Sequence, residues 1–104
     1  MSGPSAVQKV FTVPLRLGLH ARPATVLVSM LNRYRCKAQL SKGEVAINGK
    51  SIMGVMMLAA EQGSQLKVSL EGPDASQALE EVGRLFDHWR KDPEEKCPSC
   101  KGTA

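Results

Sequence analysis

The chain has 104 residues, of which 42% are hydrophobic and 4% aromatic, and its formal net charge is +4. This length fits one domain with an aliphatic core. No apolar run reaches the length of a membrane span, and residues 1–5 lack a signal-peptide pattern. We therefore expect a soluble, cytoplasmic protein without membrane insertion.

The basic residues are unevenly distributed along the chain. Positions 1–50 hold eight of the 14 Lys and Arg residues, and Glu44 is the only acidic residue there. Such a distribution predicts a basic face that steers an acidic partner. One Trp, one Tyr and two Phe offer little surface for stacking on bases. We therefore expect a protein partner and no nucleic acid.

The first predicted element is a strand over residues 7–15, where apolar and polar residues alternate. Its predicted inward face consists of Val7, Lys9, Phe11, Val13 and Leu15. We expect residues 1–6 to be disordered, residues 7–91 to form the domain, and residues 92–104 to form a flexible tail.

A helix is predicted over residues 23–32 from apolar residues at helical spacing. Pro23 suits a first helical turn, and Arg22 marks the boundary because a residue before proline disfavours helical dihedrals. The core-facing stripe of this helix is Ala24, Leu27, Val28 and Leu31.

His20 is thereby placed at or just before the start of this helix. Unpaired N–H groups and the helix dipole make a helix N-terminus a natural anion site. Arg22 adds a forked, charged donor suited to phosphate oxygens, and a neutral imidazole offers a ring nitrogen lone pair. The stretch predicts a place to hold a phosphoryl group on His20. Because the motif is short, a solvated surface histidine is the alternative.

Two short strands, 35–40 and 44–47, are predicted next and form an antiparallel hairpin. Asn48-Gly49 predicts a turn with positive φ, and Ser51 predicts the N-cap of a short helix reaching Ala59. We expect Met53 to be exposed, because it lies off the apolar stripe of that helix, which is Ile52, Val55, Met56 and Ala59.

The last two elements are a strand over residues 65–71 and a long helix. Asp74 predicts the N-cap of this helix, with Gln77 completing a capping box, and His88 falls on its polar side. The inward residues of the strand and helix are Leu66, Val68, Leu70, Ala75, Ala78, Leu79, Val82, Leu85, Phe86 and Trp89. The order βαββαβα predicts an α+β fold, a four-stranded antiparallel sheet covered on one face by three helices.

Two separate stretches resemble one known family. Gly18-Leu19-His20-Ala21-Arg22-Pro23-Ala24 and Asn48-Gly49-Lys50-Ser51-Ile52-Met53-Gly54-Val55-Met56 are similar to HPr. HPr is the histidine-containing phosphocarrier of the bacterial phosphoenolpyruvate-dependent sugar phosphotransferase system. The resemblance extends from about residue 7 to 89. It implies an open-faced β-sandwich in which His20 is phosphorylated and Arg22 is its phosphate partner, with the backbone N–H groups of Ala21 and Arg22 holding the phosphoryl oxygens.

The resemblance also implies partners. Phosphorylated enzyme I would be the donor and the A domain of a sugar-specific enzyme II the acceptor, with the chain as a monomeric, stoichiometric carrier that needs no cofactor and is not a turnover enzyme. Ser51 matches a regulatory serine, which adds an HPr kinase/phosphorylase and a transcriptional regulator as possible partners. The docking residues would be Ala21, Thr25, Ile52 and Met53. The alternative is a regulatory protein, in the nitrogen branch or signalling through Ser51, that does not drive sugar uptake.

The tail departs from the family. Cys97-Pro98-Ser99-Cys100 has zinc-ligand spacing, yet zinc takes four ligands, and the only other Cys and His residues are Cys36, His88 and His20. A redox pair or a half-site completed by a second molecule are alternatives, as is a small thiol or zinc protein centred on this tail. One isolated pair is a weak signal, so the sequence predicts no metal site.

Overall fold

The protein is described here over residues 6–92 of a computed structural model. The cysteine pair and almost all of the two predicted terminal segments lie outside these residues. Over residues 6–92 no helix combines the length and apolar character needed to span a bilayer.

Four strands and three helices follow one another in the predicted order βαββαβα. The strands form one antiparallel sheet in the spatial order β1-β4-β2-β3. This confirms the predicted α+β fold. The elements are β1 (Ala6–Thr12), α1 (Ala21–Leu31), β2 (Lys37–Lys42), β3 (Val45–Asn48), α2 (Ile52–Met57), β4 (Gln65–Glu71) and α3 (Ala75–Lys91).

Strand β4, one of the two inner strands, shows how the sheet separates core from solvent. Leu66, Val68 and Leu70 are buried, as predicted, while Lys67 and Glu71 between and beyond them are exposed. Successive side chains of a strand point to opposite faces, so one face of the sheet carries the core. The helical stripes complete that core with Ala24, Leu27, Val28, Leu31, Ala75, Ala78, Val82, Phe86 and Trp89.

Aromatic contacts fix α3 against β1. The ring of Phe86 stacks on that of Phe11 at 4.7 Å between centroids, and Trp89 packs edge-on against Phe86 at 5.0 Å. Such pairs add to the free energy gained from burial alone. The last turns of α3 are therefore held beside the end of β1.

Some predicted strand boundaries and turns differ from the structure. β1 ends at Thr12 rather than residue 15, because ladder pairing stops at Thr12 opposite Gln65. Lys9, predicted to face inward, is exposed. The turn at Asn48-Gly49 has no positive φ; Gly49 instead lets its strand end approach β2, where a Cβ would lie 3.1 Å from that of Ala38.

Two helix predictions are also wrong in part. Of the stripe predicted for α2 only Val55 is buried, whereas Ile52 and Met56 are 40% and 45% exposed, because a six-residue helix covers the core with one turn. Asp74 precedes α3 as predicted but makes no capping bond. Its carboxylate accepts the backbone N–H of Arg35 at 2.8 Å instead.

Candidate functional site

The first helix begins earlier than the sequence predicted. α1 starts at Ala21, so Arg22 lies inside the helix and the boundary predicted at Arg22 is wrong. His20 is the N-cap, with extended backbone dihedrals (φ −84°, ψ −167°). Pro23 is the third helical residue, where a backbone N–H has no partner within the helix, so its ring costs no hydrogen bond.

The start of α1 is open. The His20 side chain makes no capping hydrogen bond and is exposed, as is Arg22. Among the described residues nothing accepts the backbone N–H groups of Ala21 and Arg22. Two unpaired donors and the positive end of the helix dipole thus face solvent beside an imidazole and a guanidinium. This combination favours an anion held next to the imidazole.

A tight loop holds His20 in place. Gly18 has φ +73°, and a Cβ on it would lie 2.4 Å from the carbonyl oxygen of Ala60. The N–H of Leu19 donates to that same carbonyl at 2.8 Å, and the Leu19 side chain is buried. The His20 N–H donates to the Gly18 carbonyl at 2.9 Å. The supporting role of Ala60, 40 residues later, had no signal in the sequence.

The second helix start is closed by its own side chain. The Ser51 Oγ accepts the N–H of Gly54 at 3.1 Å, which confirms the predicted N-cap. The Asn32 amide donates both to the Val28 carbonyl at 3.0 Å and to the Lys50 carbonyl at 3.2 Å. Ser51 therefore lies beside the end of α1, while His20 lies at its start.

His20 and Ser51 are consequently not brought together. The 11 residues of α1 separate their two ends by about 16 Å at 1.5 Å per residue. Arg22, by contrast, lies on the same helix start as His20, as predicted. The structure thus presents two separate polar positions on the paired helices α1 and α2.

The predicted docking residues are exposed. Ala21 and Thr25 lie on α1, where the Thr25 hydroxyl donates to the Ala21 carbonyl at 2.8 Å. On α2, Ile52 is 40% and Met53 73% exposed, as expected for Met53. The sequence missed further exposed apolar side chains, because residue type alone does not separate surface from core. These additional exposed residues include Leu17, Met56 and Met57.

Apart from His20, the Cys and His residues within residues 6–92 are Cys36 and His88. Cys36 is half-buried, and burial raises the pKa of its thiol, with Lys50 opposing and Asp74 adding to that shift. His88 is exposed on α3, as predicted. Over residues 6–92 no cluster of three His, Cys, Asp or Glu side chains could hold a metal ion.

Comparisons with known proteins identify the family of the chain. Residues 7–88 match the family model described as "PTS HPr component phosphorylation site". The phosphocarrier protein HPr of Treponema pallidum is 44% identical over 82 residues, covering 79% of this chain and 93% of the relative. That of Lysinibacillus sphaericus is 45% identical over 76 residues, covering 73% and 86%.

Solved structures show the same fold. HPr from Bacillus anthracis aligns with a TM-score of 0.74 and 41% identity, covering 78% of this chain and 96% of that one. The Bacillus subtilis catabolite repression protein Crh, solved as a domain-swapped dimer, aligns with a TM-score of 0.64 and 36% identity, covering 79% and 94%. The HPr relatives are named phosphocarrier proteins, that is, carriers rather than turnover enzymes. The chain belongs to the HPr family of phosphocarrier proteins of the phosphotransferase system.

Proposed function

We propose that His20 accepts a phosphoryl group from phosphorylated enzyme I and passes it to the A domain of a sugar-specific enzyme II. The observation that carries this proposal is the uncapped start of α1, where an exposed imidazole lies beside two unpaired backbone N–H groups. Membership of a phosphocarrier family supports it further.

The reaction we propose is an in-line displacement. A lone pair of the His20 ring attacks phosphorus, a new N–P bond forms, and the N–P bond to the donor histidine breaks. The N–H groups of Ala21 and Arg22 and the Arg22 guanidinium hold the phosphoryl oxygens. Catalysis then depends on positioning and charge stabilisation rather than on proton transfer. The chain is a stoichiometric relay that needs no cofactor.

Docking would use the exposed side chains around the helix starts. Ala21 and Thr25 offer a smooth surface next to His20, and Ile52 and Met53 offer apolar contacts. Methionine side chains adapt to differently shaped partners, which suits a carrier that must meet both a donor and an acceptor. The basic first half of the chain favours acidic partner surfaces and not nucleic acid. We propose that the chain works in the cytoplasm as a monomer.

A second candidate function is regulation through Ser51. The side chain is partly exposed and about one helix length from His20, so a kinase could reach it without contacting the phosphoryl site. Phosphorylation would replace the Ser51 cap with a dianion at the start of α2. The 36% identical relative Crh is named for catabolite repression. An HPr kinase/phosphorylase and a transcriptional regulator would be the partners in this case.

The test is intact-mass spectrometry after incubation with phosphoenolpyruvate and a generic enzyme I. We expect one acid-labile phosphate on the wild type and on His88→Ala, and none on His20→Ala. An added enzyme IIA domain should then remove the label, which distinguishes a relay from a purely regulatory protein. Absence of label on the wild type, with a competent control carrier, would refute the proposal.

The proposed monomeric state can be tested by chromatography. Size-exclusion chromatography of the unphosphorylated chain should give the mass of one copy. A stable dimer would contradict this part of the proposal, and the swapped Crh dimer shows that a relative of this fold can form one.

A further inference from the structure

We propose that Lys42 is a positioning residue for phosphoryl transfer at His20, because its ammonium group holds the segment that fixes the His20 loop. Lys42 ends β2, whereas His20 precedes α1. The effect on transfer rests on the function proposed above. The dependence of the loop on Lys42 does not, and it can be measured without that reaction.

The segment that follows α2 supports the His20 loop. The carbonyl oxygen of Ala60 accepts the Leu19 N–H at 2.8 Å, and a Cβ on Gly18 would lie 2.4 Å from the same oxygen. Leu19 and Ala60 are both buried. The His20 N–H in turn donates to the Gly18 carbonyl at 2.9 Å. A shift of the Ala60 carbonyl would therefore displace the backbone that carries the imidazole.

The residue before this carbonyl, Ala59, has a strained backbone. It follows Leu58, the C-cap of α2, and its φ of +50° is the one positive φ of a non-glycine residue within residues 6–92. Its N–H donates to the Met56 carbonyl at 3.1 Å, in a left-handed helix ending where glycine is the usual residue. A Cβ makes this conformation unfavourable. Such a residue keeps its conformation only where its surroundings hold it.

Lys42 supplies a contact of this kind. Its Nζ donates to the carbonyl oxygen of Ala59 at 3.0 Å. A charged donor makes a stronger hydrogen bond than a neutral one. An ammonium group is also favourable at the end of a helix, where the dipole is negative. The bond therefore stabilises Ala59 in its left-handed conformation, and through the next peptide it keeps the Ala60 carbonyl directed at Leu19.

Strand β2 places Lys42 for this contact. The strand continues to Lys42, two residues beyond the predicted end, and Lys42 pairs with Val45 across the hairpin. Residues two apart in a strand share a face, so Lys42 follows Ala38 and Leu40, which are buried beneath the helices. The Lys42 side chain is partly buried. A lysine at such a position buries its aliphatic stem and keeps its ammonium at the surface.

This contact should act on the transfer step rather than on docking. Lys42 and Ala59 are not among the docking residues proposed above, and the ammonium of Lys42 is used within the molecule. Transfer needs the imidazole aligned with the phosphoryl group that the N–H groups of Ala21 and Arg22 hold, and small displacements from such a geometry are costly. Loss of the contact should therefore lower kcat and leave KM unchanged.

The first test measures kcat and KM for phosphorylation of the full chain by phosphorylated enzyme I. Lys42→Met keeps the aliphatic stem and removes the charged donor, and we expect kcat to fall about tenfold at constant KM. Lys42→Arg keeps a charged donor and should restore most of the rate. Lys37→Met removes the same charge from an exposed side chain of the same strand. This control should leave kcat unchanged.

A second substitution tests the role of the strained backbone. Glycine adopts a positive φ without a steric penalty, so Ala59→Gly should make the lysine contact dispensable. We expect Lys42→Met to lower kcat less than about threefold when Ala59→Gly is present, which is a coupling between neighbouring residues. An equal tenfold loss with and without Ala59→Gly would refute the role of Lys42 in holding Ala59.

Hydrogen exchange measures the loop itself without phosphorylation. In Lys42→Met the Leu19 N–H, which donates to Ala60, should exchange at least about threefold faster by NMR. The Val13 N–H donates to the Ser64 carbonyl at 2.9 Å and is the internal control, because its exchange should not change. Equal acceleration of both amides would indicate a general loss of stability and would overturn the positioning role.

The kinetic outcomes separate this inference from the proposed function. An unchanged kcat for Lys42→Met would overturn the positioning role, and a raised KM at constant kcat would instead make Lys42 a docking residue. A wild type that enzyme I does not phosphorylate would refute the proposed function alone. In that case the exchange of the Leu19 N–H decides whether Lys42 fixes the loop.

Discussion

The N-termini of α1 and α2 differ in one respect: a side chain caps α2, and none caps α1. At α2 the Ser51 hydroxyl accepts a helix N–H, so the helix start is closed by its own residue. At α1 the residue in the equivalent position is His20, whose side chain makes no such bond. An N-cap hydrogen bond typically contributes about 0.5–2 kcal/mol of stability. The open start therefore gives up stability and keeps its donors available to a ligand.

The comparison separates two ways in which a helix start can meet phosphate. At α1 the backbone donors are ready before the phosphoryl group arrives. At α2 a phosphate on Ser51 would have to replace an existing cap. The first arrangement suits a group that comes and goes, and the second suits a slower change of state.

The largest expected effect on stability comes from straining the loop that holds the start of α1 in place. Gly18→Ala puts a Cβ 2.4 Å from the Ala60 carbonyl oxygen at φ +73°. We expect a loss of several kcal/mol in the free energy of unfolding, about 2–4, from strain and displaced packing. Urea denaturation measures it. Gly83→Ala is the control, because a Cβ added at Gly83 would meet nothing within 4 Å. This substitution should stabilise α3 by up to about 1 kcal/mol.

Removing one unpaired backbone N–H at the start of α1 should slow phosphorylation without lowering stability. Ala21→Pro deletes a backbone N–H at the first helical position, where proline is well tolerated. We expect phosphorylation by enzyme I to slow by about 100-fold, the effect of losing one preorganised donor, with little change in unfolding. Ala21→Ser keeps the N–H and serves as the control. An unchanged rate for Ala21→Pro would show that the open start does not hold the phosphoryl group.

Removing the cap at the closed start should cost stability. Ser51→Ala is expected to lower the free energy of unfolding by about 1 kcal/mol. For a domain of this size that corresponds to roughly 4–8 °C in Tm, measured by circular dichroism. Ser51→Thr retains the hydroxyl and is the control. The rate of His20 phosphorylation should stay unchanged, so a parallel loss would contradict the independence of the two positions.

Adding a side-chain cap at the start of α1 should raise the free energy of unfolding, the opposite of removing the cap of α2. His20→Ser supplies the missing cap, and we expect it to raise the free energy of unfolding by about 0.5–1 kcal/mol while abolishing phosphorylation. Thermal unfolding at equal protein concentration measures it, with His88→Ser as the control. A destabilised His20→Ser would mean that the His20 side chain stabilises the folded protein in a way that outweighs a cap.

The smallest expected effect is a pH dependence of stability that arises at Glu81 on α3, away from the starts of α1 and α2. A hydrogen bond from Arg84 holds the pKa of the Glu81 carboxyl below its ordinary value of 4.5, and the Tyr34 hydroxyl adds to this. Because the folded pKa is lowered, the stabilisation is present above pH 4.5 and is lost as the pH falls through the folded pKa. Glu81→Gln should remove this slope from urea midpoints measured below pH 5, and Glu80→Gln should leave it.

The sequence predicted the elements with long periodic patterns and failed where distant residues compete. The stripes of α1 and α3 are confirmed because many turns share one period. Asp74 is the N-cap residue of α3, as predicted, but its carboxylate makes no capping bond because it accepts the N–H of Arg35, 39 residues away. The predicted start of α1 is wrong because Arg22 lies within the first helical turn although it precedes a proline, and a pre-proline residue marks a helix boundary only as a tendency.

The candidate site shows the same limit. His20 and Arg22 lie two positions apart, so a local motif was enough to place them together. Ala60, whose carbonyl accepts the Leu19 N–H and so fixes the His20 loop, is separated from His20 by 40 residues. No local pattern reports such contacts, and only the fold brings them together.

Trp89 gives this molecule an internal optical reporter. It is the single tryptophan of the chain, fully buried in the last turns of α3 and edge-on to Phe86. An indole shielded from water emits at shorter wavelength than one in the unfolded chain. The fluorescence of Trp89 can therefore follow unfolding of the folded core in each of the variants above, without any added label.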